Sequence, residues 1–565
     1  MPKIIARDFS QHVATQLAAY GLHPVLARVF AARQIESGAQ LDTALASLLP
    51  FSSLQNCEQM ACVLADAIRD QEKLLIVADY DADGATACAV GLLGLRAMGA
   101  QVDYLVPNRF EFGYGLTPEI VMLAAERKPK YLITVDNGIA SVEGVAEANR
   151  LGMQVLVTDH HLPGDQMPQA ACIVNPNQMG CTFPSKHLAG VGVMFYVLLA
   201  LRAELRRREW FQSADGPNLA QLLDLVALGT VADVVRLDDN NRRLVHQGLR
   251  RIRAGKARPG IAALLSVAAR EAARATTYDL GFVAGPRLNA AGRLSDMAAG
   301  IECLIADDAS RAMTLAKQLD ALNRERRDIE ADMQESALAM LDQVKVSEGW
   351  SLALFDPRWH QGVVGILASR LRERFHRPVI AFARGAQGEL KGSGRSISAL
   401  HLRDALDLIS KRHPGLILKF GGHAAAAGLS IPELSFADFQ AAFERIVRER
   451  VDAADLQQAI ATDGPLQADE FAISLAEAIA GQVWGQGFPA PLFDGVFEVL
   501  AQRVVGGKHL KVRLRSDATG TVADGILFGQ DAPLPARIRA AYRIEVNEFN
   551  GSRALQLVLQ HWEHA

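Results

Sequence analysis

Paired cysteines are missing from this chain. Six are scattered over 565 residues, only Cys57 and Cys62 lie close together, and no CxxC pair occurs. This argues against zinc ribbons and a disulfide scaffold and fits a reducing compartment. The stretch MPKIIARDFSQHV lacks the apolar core of a secretory leader, so none is expected there. No apolar run reaches the about 20 residues that span a bilayer. The longest, near VGVMFYVLLAL at 191–201, reads as a buried helix. A cytoplasmic chain without membrane contact is therefore expected. Nor is there a net positive charge: 59 Lys and Arg against 63 Asp and Glu leave −4, so any nucleic-acid interface has to come from local charge.

The chain does have length and apolar content for several cores. With 565 residues and 50% apolar composition it exceeds one domain and suggests three or four. Three short apolar, β-branched-rich runs each lead directly into acids or imidazoles: KLLIVADYDADG (73–84), YLITVDNG (131–138) and QVLVTDHH (154–161). Helical patterns follow the first two, ATACAVGLLGLRAMG and SVEGVAEANRLG. Strand and helix in alternation predict a parallel sheet with helices on both faces. Open α/β sheets bind ligands beyond the carboxyl ends of their strands, so Asp79, Asp81, Asp83, Asp136, Asp159, His160 and His161 should converge. Gly84 is expected to allow a sharp turn beyond the first strand. Carboxylates crowded in this way raise one another's pKa unless a cation neutralises them. Oxygen donors with one imidazole suit Mn²⁺ or Mg²⁺ better than structural zinc, and adjacent strand ends allow room for two ions.

DYDADG, VDNG and DHH, in this order and spacing, resemble the DHH phosphoesterase superfamily. VPNRFEFGYGL (106–116), HLAGVGV (187–193), TVADVV (230–235), GPRLNAAGRL (285–294), SGRS (393–396) and GGHAAAAG (421–428) narrow the resemblance to the RecJ family of single-strand-specific DNA exonucleases. The resemblance implies an α/β protein: a parallel-sheet DHH domain joined by a long helix to a second α/β domain, DHHA1, with a C-terminal β-barrel, an OB-fold. The corresponding boundaries are a helical segment at 1–55, the DHH domain at 56–305, the linking helix at 306–345, DHHA1 at 346–455 and the barrel at 456–565.

The implied activity is 5′ to 3′ hydrolysis of single-stranded DNA to 5′-mononucleotides in recombination and repair, by two-metal-ion phosphodiester hydrolysis without a covalent nucleophile. The implied metal ligands are Asp79, Asp81, Asp83, Asp136, His160 and Asp233. Asp159 orients a ligand, and His161 contacts the scissile phosphate or assists the leaving group. The implied partners are a single strand with a 5′ end, a single-strand-binding protein and a helicase, with the enzyme itself a monomer. An oligonucleotide or cyclic-dinucleotide phosphodiesterase, and a non-catalytic strand-binding scaffold, are the alternatives.

Other segments suggest where a strand would be held. Arg109 could grip a terminal 5′ phosphate together with the SGRS arginine, and Tyr114 could stack on a base. SGRS, flanked by glycine, reads as an anion site formed by Ser393, Arg395 and Ser396. GGHAAAAG is expected to bring Gly422 close to substrate and then to open a helix beside His423. Arg287, Asn289 and Arg293 could contact phosphates or equally link the lobes by hydrogen bonds. Between Arg236 and Arg258, eight basic residues face only Asp238 and Asp239, either a solvated helix face or a supporting phosphate contact. In HLKVRLR (509–515), Lys511, Arg513 and Arg515 alternate with Leu510, Val512 and Leu514, which predicts one core face and one cationic face in a small antiparallel barrel. Phe528 and Tyr542 are its weak candidates for base stacking. A long helix is expected over 310–343, where Leu315, Leu319, Leu322, Ile329 and Met333 recur at helical steps.

Overall fold

The computed structural model describes residues 2–107, 112, 115–212, 215–342, 349–385, 388–549 and 551–565. The chain forms two compact units. One comprises 6–323 with 462–565, the other 1–5 with 324–461. The helix Ala309–Asp342 runs across the boundary, close to its expected range.

The larger unit holds a five-stranded sheet. After the short strand β1 (Lys3–Ala6), β2 (Lys73–Ala78), β3 (Gln101–Leu105), β4 (Tyr131–Val135), β5 (Gln154–Thr158) and β6 (Cys172–Val174) assemble in the order β3-β2-β4-β5-β6, and every pairing is parallel. Leu74 to Ala78 are all buried because both faces are covered. Ile76 and Ala78 share a core with helix Ala82–Ala97, whereas Leu75 and Val77 share another with Val145 and Ala148 of helix Val142–Arg150. Successive strand residues point to opposite faces, so the connections leaving β2 and β4 diverge and open a crevice between their carboxyl ends. Register makes this crevice sharp. Ala78 lies beside Val135, and Val135 beside Thr158, which sets the next residues, Asp79, Asp136 and Asp159, abreast.

The apolar run at 190–207 is the expected buried helix, Gly190–Arg207. The C-terminal strands β13 (Phe493–Val505), β14 (His509–Ser516), β15 (Val522–Leu527), β16 (Arg537–Phe549) and β17 (Ser552–His564) close a barrel in the order β13-β14-β15-β17-β16. It is not wholly antiparallel, since β15 and β17 pair in parallel to complete the closure. The N-terminal helices Gln11–Ala19 and Pro24–Ala31 join this unit through polar and aromatic contacts to the segment before the barrel. Arg33 donates to both oxygens of Asp463 at 2.7 and 3.0 Å, and Phe30 stacks on Trp484 and Phe488.

The smaller unit pairs β1 with β12 (Ala459–Thr462) and contains a mixed sheet of β7 (Leu352–Phe355), β8 (Val379–Arg384), β9 (Glu389–Arg395), β10 (Lys419–Gly422) and β11 (Ala426–Pro432), in the order β10-β11-β9-β8-β7. Only β7 and β8 run parallel. GGHAAAAG does not open a helix here. It forms the β10–β11 hairpin, because pairing of Ala426 to Pro432 with β9 overrides the helical preference of four alanines.

The Arg33 and Asp463 side chains are 2% and 1% exposed, so Asp463→Ala leaves an uncompensated buried guanidinium. It is expected to destabilise the larger unit by about 3–5 kcal/mol. A urea midpoint equal to that of the unaltered chain would show that the pair contributes nothing.

Candidate metal centre

The first carboxylate loop is built by a helix start. Asp81 is the N-cap of helix Ala82–Ala97, and its Oδ1 accepts from the N–H groups of Asp83 and Gly84 at 2.9 and 3.0 Å. Asp83, fully buried, lies in the first helical turn. Gly84 is needed for close approach rather than for a turn: a Cβ there would sit 2.6 Å from the Asp79 carbonyl oxygen. The Asp83 carboxylate accepts from Gly190 and Val191 N–H at 2.7 and 2.9 Å, which are free donors at the start of the buried helix. Asp136 follows β4 in the left-handed region, with φ 62°. The glycine of VDNG supplies a second positive φ at Gly138, and Gly190 makes room on the other side, since a Cβ there would meet Asp136 Oδ1 at 2.5 Å.

TVADVV lies at the end of a helix. Leu223–Ala232 is helical, Asp233 caps its end, and Val234 turns the chain at φ 62°, an uncommon and strained conformation for a β-branched residue. His160 joins these acids. Its Nε2 lies 3.1 Å from Asp136 Oδ1, 3.5 Å from Asp233 Oδ2 and 3.9 Å from Asp83 Oδ2. Asp83, His160 and Asp233 therefore form one cluster of donor atoms, and Asp136, His160 and His161 an adjoining one. Asp79, which is buried, and Asp81 belong to neither, although both raise the charge density around Asp136.

Two atoms test whether a cation fits. Asp136 Oδ1 and His160 Nε2 are buried and neither makes a hydrogen bond, although they are only 3.1 Å apart. That separation is close to the about 3.0 Å between adjacent ligands of an octahedral ion with bonds of about 2.1 Å. The protonation states agree. Burial, then the His161 charge, lowers His160 to about 4, leaving a neutral imidazole able to ligate. Burial, then Asp81, pushes Asp83 up to about 7, and burial with the neighbouring carboxylates raises Asp136 and Asp233 well above the usual range.

Asp159 has a different task. One oxygen accepts from His160 N–H, His161 N–H and His161 Nδ1 at 2.7, 3.1 and 2.7 Å, and the other from Ile139 N–H at 2.9 Å. Burial opposes its ionisation, but the bond to and charge of His161 hold it below the ordinary carboxylate pKa. Burial likewise opposes protonation of His161, yet Asp159 outweighs it and pushes the ring up to about 9. The His161 side chain is 54% exposed. It thus sits half-exposed at the edge of the cluster, with Nδ1 bonded to Asp159.

Asn175, Asn177 and Gly292 escape the sequence reading, and Asn289 takes a supporting role that it did not foresee. Asn175 and Asn177 donate to the His161 and His160 carbonyls at 2.9 and 2.6 Å. Asn289 accepts from Ala82 N–H at 2.8 Å, and Gly292 packs so tightly that a Cβ would lie 1.9 Å from the Tyr80 carbonyl oxygen. GPRLNAAGRL therefore braces the carboxylate loop. The only available signals were NPN after an apolar strand and the paired glycines of that segment.

The expected strand-holding groups divide. Arg109 and Tyr114 lie outside the described residues. Arg287 pairs with Asp320 at 2.8 Å and donates to the Val283 carbonyl, an internal role, while Arg293 lies half-buried on the same helix. SGRS lies at the end of β9, and Ser393 to Arg395 are in register with both β8 and β11. Arg395 donates to Ser393 Oγ at 3.1 Å, and Ser396, buried, donates to the Leu400 carbonyl. Gly422 (φ 141°) ends β10, and His423, exposed, sits in the hairpin turn, its Nδ1 accepting from Ala425 N–H. Within the basic run, Arg242, Arg243, Arg253 and Arg258 are consumed by backbone carbonyls. Strand β14 alternates as expected, with Leu510, Val512 and Leu514 buried. Its outer face is partly neutralised, since Arg515 pairs with Glu498 and Lys511 lies 3.9 Å from Asp524, which is opposite Arg513. Tyr542 is buried among Phe493, Phe497 and Phe471, whereas Phe528 is 61% exposed.

Two outcomes follow. Because Asp83, Asp136 and Asp233 hold protons more tightly than ordinary carboxylates, cation uptake must displace those protons. Manganese titrations by calorimetry should release protons to buffer, and affinity should rise with pH through about 7. Heats independent of buffer ionisation would contradict this. Asn289→Ala, which frees the loop at Ala82, is expected to weaken manganese uptake by roughly 10–100-fold without loss of folding. Unchanged affinity would remove Asn289 from the supporting role.

Three family models match the chain: the DHH family, N-terminal domain, over residues 73–230, the DHHA1 domain over 344–449 and the RecJ OB domain over 462–561. The single-stranded-DNA-specific exonuclease RecJ of Dickeya dadantii is 52% identical over 553 residues, covering 96% of each chain. Two crystal structures of RecJ from Thermus thermophilus are similar over 100% of this chain. The complex with Mn²⁺ has a TM-score of 0.84 at 29% identity, with 79% of its chain covered. The complex with Mg²⁺ has a TM-score of 0.78 at 28% identity, with 78% covered. A buried oxygen-rich donor cluster at parallel strand ends, and full-length similarity above half identity, lead to one conclusion: the chain belongs to the RecJ family of single-stranded-DNA-specific exonucleases.

Proposed function

We propose that this chain hydrolyses single-stranded DNA from a 5′ end, releases 5′-mononucleotides and serves DNA recombination and repair. The observation that carries this reading is the unpartnered pair Asp136 Oδ1 and His160 Nε2 within a cluster completed by Asp83 and Asp233. Mn²⁺ or Mg²⁺ held there would relieve the carboxylate repulsion and supply Lewis-acid activation of water and of a phosphodiester.

The chain's own residues supply the rest. Asp83, fixed by two helix-start N–H groups, and Asp136, fixed by its left-handed backbone, keep their oxygens in place without reorganisation. Asp159 sets the His161 ring so that Nε2 meets a phosphate oxygen at the edge of the cluster. The barrel presents Lys511, Arg513 and Arg515 on one face, with Phe528 exposed, as a sequence-independent grip on a single strand. A phosphodiesterase for very short oligonucleotides would need no such grip. Asp79 and Asp81 add negative charge around Asp136, and Arg395 and Ser393 are the residues proposed to hold a phosphate. A single-strand-binding protein and a helicase are the proposed protein partners of a cytoplasmic monomer. Among the described residues no helix is long and apolar enough to cross a membrane.

The test uses single strands labelled at the 5′ or the 3′ end, with manganese present or chelated. Labelled mononucleotides should appear first from the 5′ label and only with metal, and Asp136→Ala should abolish turnover with a milder effect on strand affinity. Release first from the 3′ label would refute the polarity, and near-normal hydrolysis by Asp136→Ala would refute the metal assignment.

A further inference from the structure

Two exposed aromatic rings belong neither to the core nor to the metal centre. Tyr278 and Phe282 are 53% and 72% exposed, yet their rings stack with centroids 5.1 Å apart and planes 22° apart. The Arg270 guanidinium lies over the Tyr278 ring, 5.9 Å from its centre. Three planar groups are thus gathered at the surface, and Phe282, the most exposed, retains ring surface for another.

The backbone that presents them is specialised. Asp279–Ala284 is a π-helical turn, a rare geometry that often marks functional sites. Its wider i→i+5 closure brings side chains four apart nearly above one another, which accounts for the stacking of residues 278 and 282. The turn is secured at its start, where Thr276 donates twice to Asp279 Oδ2 at 2.8 and 2.9 Å and Arg270 pairs with Asp279 at 3.4 Å.

Its position relates it to the metal centre. Gly281 and Gly285 flank Phe282 and pack against the end of the helix that carries Asp233. A Cβ on Gly281 would lie 3.1 Å from Val231, and one on Gly285 3.0 Å from Ala232. The same turn leads directly into the helix Gly285–Leu294, whose Asn289 braces the carboxylate loop at Ala82.

We propose that Phe282, backed by Tyr278 and Arg270, is a stacking platform for one nucleobase of a single strand beside the metal centre. This rests on the exonuclease reading above. A nucleobase matches the feature in shape and chemistry: it is planar, it stacks on aromatic rings whatever its sequence, and its attached phosphate is attracted by Arg270. A protein partner is a poor match, because a stable interface covers about 800 Å² on each side, far more than two rings provide.

The experiment measures strand binding and hydrolysis by the full chain with manganese present, using Phe282→Ala, Phe282→Trp and single strands carrying one abasic site at successive positions. Phe282→Ala is expected to weaken binding of an intact strand about ten-fold, with manganese uptake and turnover of a chromogenic single-nucleotide phosphodiester within two-fold of the unaltered chain. One abasic position should cost the unaltered chain a similar factor and cost Phe282→Ala nothing further, since the ring and that base act on each other. Phe282→Trp should restore affinity, and its fluorescence should be quenched by the strand. The proposal is overturned if Phe282→Ala binds as tightly as the unaltered chain, if every abasic position costs both proteins equally, or if the tryptophan is not quenched. Should Phe282→Ala fail to fold, quenching in Phe282→Trp decides alone. Failure of the unaltered chain to hydrolyse single strands would instead sink the underlying reading, a result that the quenching measurement does not share.

Discussion

Mutual repulsion among buried carboxylates is the constraint around which the larger unit is organised. Asp83 and Asp136 are almost wholly removed from water, with Asp233 beside them. Two like charges about 4 Å apart repel by roughly 4 kcal/mol even at an effective dielectric of 20. A protein keeps such an arrangement only if a cation repays it or protons quench it, and the raised pKa values describe the second state. The unbonded lone pairs of Asp136 and His160 describe readiness for the first.

Holding the charges together takes contributions from distant parts of the chain. The sheet register sets Asp79, Asp136 and Asp159 side by side, the start of the helix at Gly190 anchors Asp83, and Asn175 and Asn177 clamp the carbonyls of both histidines. Glycine at 84, 190, 229 and 292 lets backbone approach where any Cβ would collide with the loop or its carboxylates. The left-handed backbone at Asp136 and Val234 is the remaining cost at this site. His161 shares a donor cluster with Asp136 and His160, and its bond to Asp159 outweighs burial and raises its pKa.

How much could be read in advance depended on whether the signal was local. Strands that end in acids announce both a parallel sheet and where its ligands gather, so β2, β4 and β5 and their acids were legible. So was β14, where alternation of apolar and basic residues reports one buried face. GGHAAAAG misled because its alanines favour a helix in isolation, while its neighbour β9 offered unsatisfied backbone groups that only a strand could pair. SGRS lies at the end of β9, where a Cβ at Gly394 would meet the Leu402 side chain at 2.7 Å, a close approach that the linear motif does not reveal. The basic run at 236–258 was ambiguous by composition, and Arg242, Arg253 and Arg258 turned to backbone carbonyls that composition does not reveal.

By itself, then, the sequence determined which residue types stand at the strand ends and therefore what chemistry they can support, because periodicity and side-chain charge are properties of neighbouring residues. Only the tertiary structure decided which of those groups share a centre, which are spent on capping or bracing, and which arginines remain for a ligand. Those outcomes depend on register, close backbone approach and burial, which are set by segments distant in sequence, as when Gly190 and Val191 fix Asp83 and Asn289 fixes Ala82.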